Sequence, residues 1–138
     1  MKIFVDCDVL LDVGLGREPF CQASGALLNY LENNKNTGFI AWHSIANFFY
    51  LTAKGNNKQQ SKNFIAELCA FLEIVAVSNQ DLTVALELPI NDFEDTMQCA
   101  SAMACHADVI ISRNIRDFQY SPIKAMSPEQ FLQELNGL

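Results

Sequence analysis

Residues 92–118 read DFEDTMQCASAMACHADVIISRNIRDF, and the order of elements along this stretch decides the fold. Asn91, with Glu94 three residues later, makes a capping-box-like helix start. Small and apolar residues then carry the helix to about His106. "VIIS" at 109–112 follows as a short strand without alternation, as a strand buried on both faces reads. Polar residues return at once, in "RNIRD".

The same alternation extends in both directions. Residues 2–5 read as a buried strand. Pro19 opens a helix in which Phe20, Ala23, Leu27, Leu28 and Leu31 recur at helical spacing until "NNKNTG" stops it. "FIAW" at 39–42 is a second strand. Ser44 is then the expected cap of a helix that "GNN" at 55–57 ends. Phe64, Ile65, Leu68, Phe71 and Leu72 mark another helix, followed by the strand "EIVAV" at 73–77. Ser78 opens a short helix that closes before Pro89. "IKAM" at 123–126 is a fifth strand, and Ser127, Pro128 and Gln130 give a cap, first-turn proline and box glutamine for a final helix. Strands alternating with helices predict an α/β fold in three α/β/α layers around a parallel sheet of four or five strands, spanning 1–138 as one domain.

Composition narrows the function classes. No apolar run approaches the ~20 residues that span a bilayer. The N-terminus has one lysine and then acids, unlike a signal peptide. A soluble cytoplasmic protein, with no membrane contact, is expected. Five cysteines form no CxxC pair and leave an odd count, which argues against a disulfide framework or a structural zinc site. Net charge is −7, and residues 70–138 carry ten acids against three bases. Such a chain binds phosphate backbones poorly unless local basic residues or bridging cations help.

The acids are placed where an α/β sheet keeps its site, in the crevice beyond the carboxyl ends of the strands. Asp6 and Asp8 follow strand one; Asn114 and Asp117 follow strand four. Asp92 and Asp95, three apart, share a helix face. Glu94 is expected to be taken up by the capping box. Several carboxylates in one crevice repel each other unless a cation neutralises them. Hard ions such as Mg²⁺ take oxygen ligands and leave room for water and substrate phosphate. That chemistry suits phosphodiester hydrolysis.

On these residues the chain resembles the PIN-domain family of metal-dependent ribonucleases, nearest to the VapC-like toxins of toxin–antitoxin pairs. "IFVDCDVLLDV" is similar to the family's first strand and turn, and "LGREPF" to the loop that follows. "DFEDTMQCASAMACHADVIISRNIRDF" is similar to its third and fourth motifs. The resemblance implies Asp6, Asp95 and Asp117 as acids that bind Mg²⁺ or Mn²⁺, with Asp92 and Asp8 as further ligands. Ser112 and Asn114 would support the site, and a metal-activated water would attack RNA. It also makes a homodimer and a cognate antitoxin plausible partners. The family's second motif is a glutamate on the helix after strand two; here Asn47 stands in that place, and Cys7 replaces a hydroxyl residue. An amide can orient a ligand or a water but brings no charge. A catalytically weakened module that binds RNA or protein is therefore the alternative.

"DCDVLLD" is also similar to the opening of haloacid-dehalogenase-like phosphatases, though Leu10 stands where they have threonine. His43 and His106 have no ligand spacing and read as surface or half-buried residues. Arg113 and Arg116 flank the expected site and are the candidate RNA-backbone contacts, with Arg17 a third.

Overall fold

Ile3–Val5 (β1) and Val109–Ile111 (β4) are runs of bulky apolar residues, and both are buried along their length. Only the middle of a covered sheet buries both faces of a strand, and there the computed structural model places them, paired in parallel with Val5 opposite Ile111. The structure describes residues 1–55 and 57–137. Asn56, inside the expected "GNN" stop, and Leu138 lie outside them. Gly38–Ile40 (β2) pairs with the other edge of β1, and Leu72–Ile74 (β3) with β2. Ala125–Met126 (β5) pairs with β4. All pairs are parallel, in the order β3-β2-β1-β4-β5. Gly38 is required by a close approach: a Cβ there would lie 2.5 Å from Leu72 Cδ2.

Side chains alternate across these strands and so divide the core in two. Ile3, Val5, Val109 and Ile111 meet Leu10, Leu27, Leu31, Phe48 and Leu68 on one face. Phe4 and Ile110 meet Cys99, Ala102 and Phe118 on the other. The first layer is built from helices α1 (Cys7–Gly14), α2 (Cys21–Asn33), α3 (Trp42–Thr52), α4 (Lys58–Cys69) and α7 (Pro128–Leu135). The second is built on α6 (Phe93–Ala104), against which α5 (Asn79–Glu87) packs. The result is the expected three-layer α/β/α fold, with five parallel strands and, among the described residues, seven helices.

Several local expectations are corrected. α1 was not foreseen: its eight residues hold two aspartates and read as a turn, but Asp6 caps the helix by accepting from Cys7 N at 2.7 Å. "FIAW" ends early, because Trp42 already belongs to α3. Ser44 is therefore a buried residue inside that helix and not its cap. α4 begins at Lys58, ahead of the apolar stripe that marked it, and Leu72 opens β3 instead of ending a helix. Asp92, and not Asn91, caps α6: its Oδ1 accepts from Asp95 N at 3.1 Å. The final helix has its expected box, Ser127 Oγ accepting from Gln130 N at 3.1 Å.

Candidate active site

The chain passes from β1 to β2 to β3 on one side of the sheet, then returns to place β4 on the other side of β1. The strand order reverses between β1 and β4, which opens a crevice at their carboxyl ends. Asp6 and Ser112 are the first residues past those two strands. Asp6 N donates to Ile111 O at 2.9 Å, which keeps the strand ends level. Ser112 Oγ donates to Asp6 Oδ2 at 2.8 Å, and Asp8 Oδ2 lies 3.3 Å from the same hydroxyl. Asp8 also accepts from Arg113 N at 3.2 Å and from Asn114 Nδ2 at 3.2 Å. Ser112 and Asn114 thus orient the two acids behind β1.

The helix start of α6 faces this pair. One carboxylate oxygen from each of Asp92, Glu94 and Asp95 lies within 4.8 Å of the others. Pro89, Asn91, Asp92, Asp95, Arg116, Asp117 and Tyr120 are among the residues that line a cleft of ≈ 470 Å³. Asp117 enters it from the 3₁₀ turn Ile115–Phe118 behind β4. The crowding has an electrostatic signature. Burial, Asp92, Glu94, Asp117 and Asp8 push the Asp95 carboxyl up to about 7. Asp6 is raised well above its usual range by burial and by Asp8, and also by Glu94 and Asp95, against a lowering hydrogen bond from Ser112. Asp8 is raised by burial, opposed by Arg113. The Cys7 thiol is pushed up to about 12 by burial and by Asp6, Glu94 and Asp8. Chain segments far apart in sequence therefore place their negative charges within reach of one another. All donors are oxygens, and the carboxyls of Asp6, Asp8 and Asp95 are raised by burial and by neighbouring acids. This is a donor set that fits a hard divalent cation.

The other expected residues fall in different positions. Asn47 is exposed on α3, one turn beyond His43 and on the same side of the helix. Arg113 Nε and Nη2 donate to the two oxygens of Asp12 at 2.9 and 3.2 Å, and its guanidinium lies over the Phe20 ring. Arg17 approaches Asp12 at 3.6 Å. Of the three arginines, Arg116 lines the acidic cleft.

Two residues were read from sequence as a box residue and a surface or half-buried residue and not as members of the site. Glu94 is free of the capping box and turned toward α3, where it accepts from His43 Nε2 at 2.8 Å and from Gln98 Nε2 at 2.7 Å. His43 is thereby a partner of an acid in this cluster.

The model of the family described as PIN domain matches residues 2–116, a span that holds β1, all of α6 and β4 and ends inside the turn behind β4, one residue before Asp117. The chain belongs to the PIN domain family. The phosphatase resemblance of "DCDVLLD" is overturned with it. This PIN domain is similar in fold to VapBC2 from Rickettsia felis, crystallised bound to a DNA fragment from its promoter. The identity is 20%, the TM-score 0.72, and the match covers 92% of this chain and 98% of that one. It is also similar to a toxin–antitoxin complex from Klebsiella pneumoniae, at 19% identity, TM-score 0.68, covering 93% and 98%. A third is VapC20 from Mycobacterium tuberculosis, a sarcin-ricin loop cleaving toxin, at 13% identity, TM-score 0.62, covering 87% and 93%. No curated protein matches the chain. Among the described residues, no helix of this PIN domain is long and apolar enough to cross a membrane.

Proposed function

We propose that this PIN domain is a divalent-metal-dependent ribonuclease of the VapC-like toxin type, acting on RNA phosphodiester bonds. One observation carries the reading. Acids from behind β1, from the start of α6 and from behind β4 meet where the strand order reverses. Asp6, Asp95 and Asp117 are the proposed metal-binding and catalytic acids, with Asp92 and Asp8 beside them. Ser112 and Asn114 fix Asp6 and Asp8, and Asn47 orients a ligand or a water. The ion is Mg²⁺ or Mn²⁺; when bound, it supplies charge neutralisation and activation of water for hydrolysis. Arg116 holds the RNA backbone at the mouth of the cleft. Arg113 and Arg17 stand behind it on Asp12 and add positive potential.

Solved structures of similar fold include toxin–antitoxin complexes, which supports a cognate antitoxin as partner of this chain; a homodimeric state and a cytoplasmic place are part of the same proposal. A second reading has one specific observation behind it. Asn47 is exposed and uncharged where the resemblance expects glutamate, which favours a module that binds RNA or protein and cleaves weakly. Incubation of RNA with Mn²⁺ and wild type, Asp95→Asn and Asn47→Glu separates the two. Cleavage is expected from wild type, lost in Asp95→Asn, and kept or increased in Asn47→Glu. Equal cleavage by wild type and Asp95→Asn would remove the role of Asp95. RNA binding without cleavage by wild type, with cleavage gained by Asn47→Glu, establishes the second reading.

A further inference from the structure

Glu94 lies two residues past the cap of α6, yet its side chain does no capping. Asp92 takes the Asp95 N–H, and among the described residues no backbone N–H reaches Glu94. Instead Oε2 accepts twice, from Gln98 Nε2 at 2.7 Å and from His43 Nε2 at 2.8 Å. A carboxylate only accepts, so His43 carries its proton on Nε2. The Gln98 amide is oriented by the same logic, because the reversed group would set Oε1 against Glu94. Gln98 is fully buried, and its amide nitrogen also donates to the buried Ser44 Oγ at 2.9 Å. Among the described residues, its Oε1 has no partner. An unpaired buried acceptor is destabilising, and what this one accompanies is a fixed Glu94.

Two helices thus hold one oxygen of a single carboxylate. Among the described residues, Oε1 of Glu94 receives no hydrogen bond. One Glu94 oxygen also stands within 4.8 Å of oxygens of Asp92 and Asp95. Asn47, exposed on α3, offers no charge. A surface ion pair would account for His43, but it would not account for a buried glutamine aimed at the same atom.

We propose that Glu94 is a metal-facing carboxylate of this centre, supplying the charge that Asn47 lacks, and that His43 and Gln98 are positioning residues that aim it. The inference rests on the metal-dependent reading above. Two donors on Oε2 fix the carboxylate plane and leave Oε1 for a hard ion. Such outer partners orient ligands, and losing one weakens metal binding by about 10–100-fold.

Calorimetric titration of Mn²⁺ into the RNA-free protein tests this, with folding checked by circular dichroism and the metal-free unfolding midpoint. Glu94→Gln is expected to bind Mn²⁺ at least about tenfold more weakly while keeping its fold. His43→Ala and Gln98→Met are expected to weaken binding in the wild-type background and to add nothing on top of Glu94→Gln. Mn²⁺ binding absent from wild type, or unchanged by Asp95→Asn, would overturn the metal-dependent reading and this inference together. Loss in Asp95→Asn with wild-type affinity in Glu94→Gln overturns the role of Glu94 alone. Equal weakening by His43→Ala in both backgrounds overturns its positioning role.

Discussion

Asp95 is raised to about 7 in the folded chain by burial and by Asp92, Glu94, Asp117 and Asp8, whereas a free aspartate titrates near ~3.9. Between those values the folded state holds the proton more often than the unfolded state does. Stability from this group is therefore complete below about pH 4 and is lost as pH rises through about 7. Asp95→Asn removes this group's share of the dependence. Metal-free urea unfolding of wild type and Asp95→Asn, from pH 4 to 8, should show the variant gaining on wild type as pH rises. A gap constant with pH would mean that crowding does not act at Asp95. Mg²⁺ should narrow the gap at pH 8, since an ion relieves in wild type the repulsion that the amide has already removed. Asp6 and Asp95 were legible because each stands where an apolar run or a helix cap gives way to acid. The direction of Glu94 was not. Moving the cap from Asn91 to Asp92 shifts the helix phase by one residue, about 100° of rotation. That rotation turns Glu94 from a box residue into a partner of His43.

At the scale of elements, α1 is tied to the turn behind β4 by a buried charge. Asp12 is fully buried, and Arg113 reaches it from across the crevice with two hydrogen bonds. The same loop holds Asp8 through Arg113 N and Asn114 Nδ2, so the guanidinium clamps the two walls that carry Asp6, Asp8 and Asp117. Removing one partner of a buried pair costs about 3–5 kcal/mol. Arg113 keeps a 27% exposed side chain and so can turn partly to water. Asp12→Ala is therefore expected to lower stability by about 3 kcal/mol in urea unfolding, and Asp12→Ala/Arg113→Met by much less than twice that. Independent, additive losses would show that the pair does not act as a unit. The sequence read Arg113 as a candidate RNA contact flanking the site because no periodicity relates position 113 to position 12. It left α1 unread because eight residues are too few for an apolar stripe to outweigh turn-forming aspartates.

For the whole molecule, the charge balance sets how RNA is met. A net charge of −7 opposes a polyanion, and the acidic cleft adds to that opposition. Binding of a non-cleavable RNA oligonucleotide, followed by fluorescence anisotropy, should therefore need Mg²⁺ and be lost with a chelator. With Mg²⁺ present, Arg116→Ala should weaken binding evenly across RNA sequences and reduce the salt slope by about 1. An unchanged slope would remove Arg116 from the backbone contact. The sequence by itself determined the α/β order, the parallel sheet and the places where acids follow strands, because apolar runs, caps and turn residues are local signals. Tertiary structure alone decided that β4 lies beside β1, that Arg113 is tied to Asp12, and that Glu94 answers to His43 and Gln98. Those outcomes depend on distances between segments up to about a hundred residues apart, and only strand pairing and helix packing set such distances.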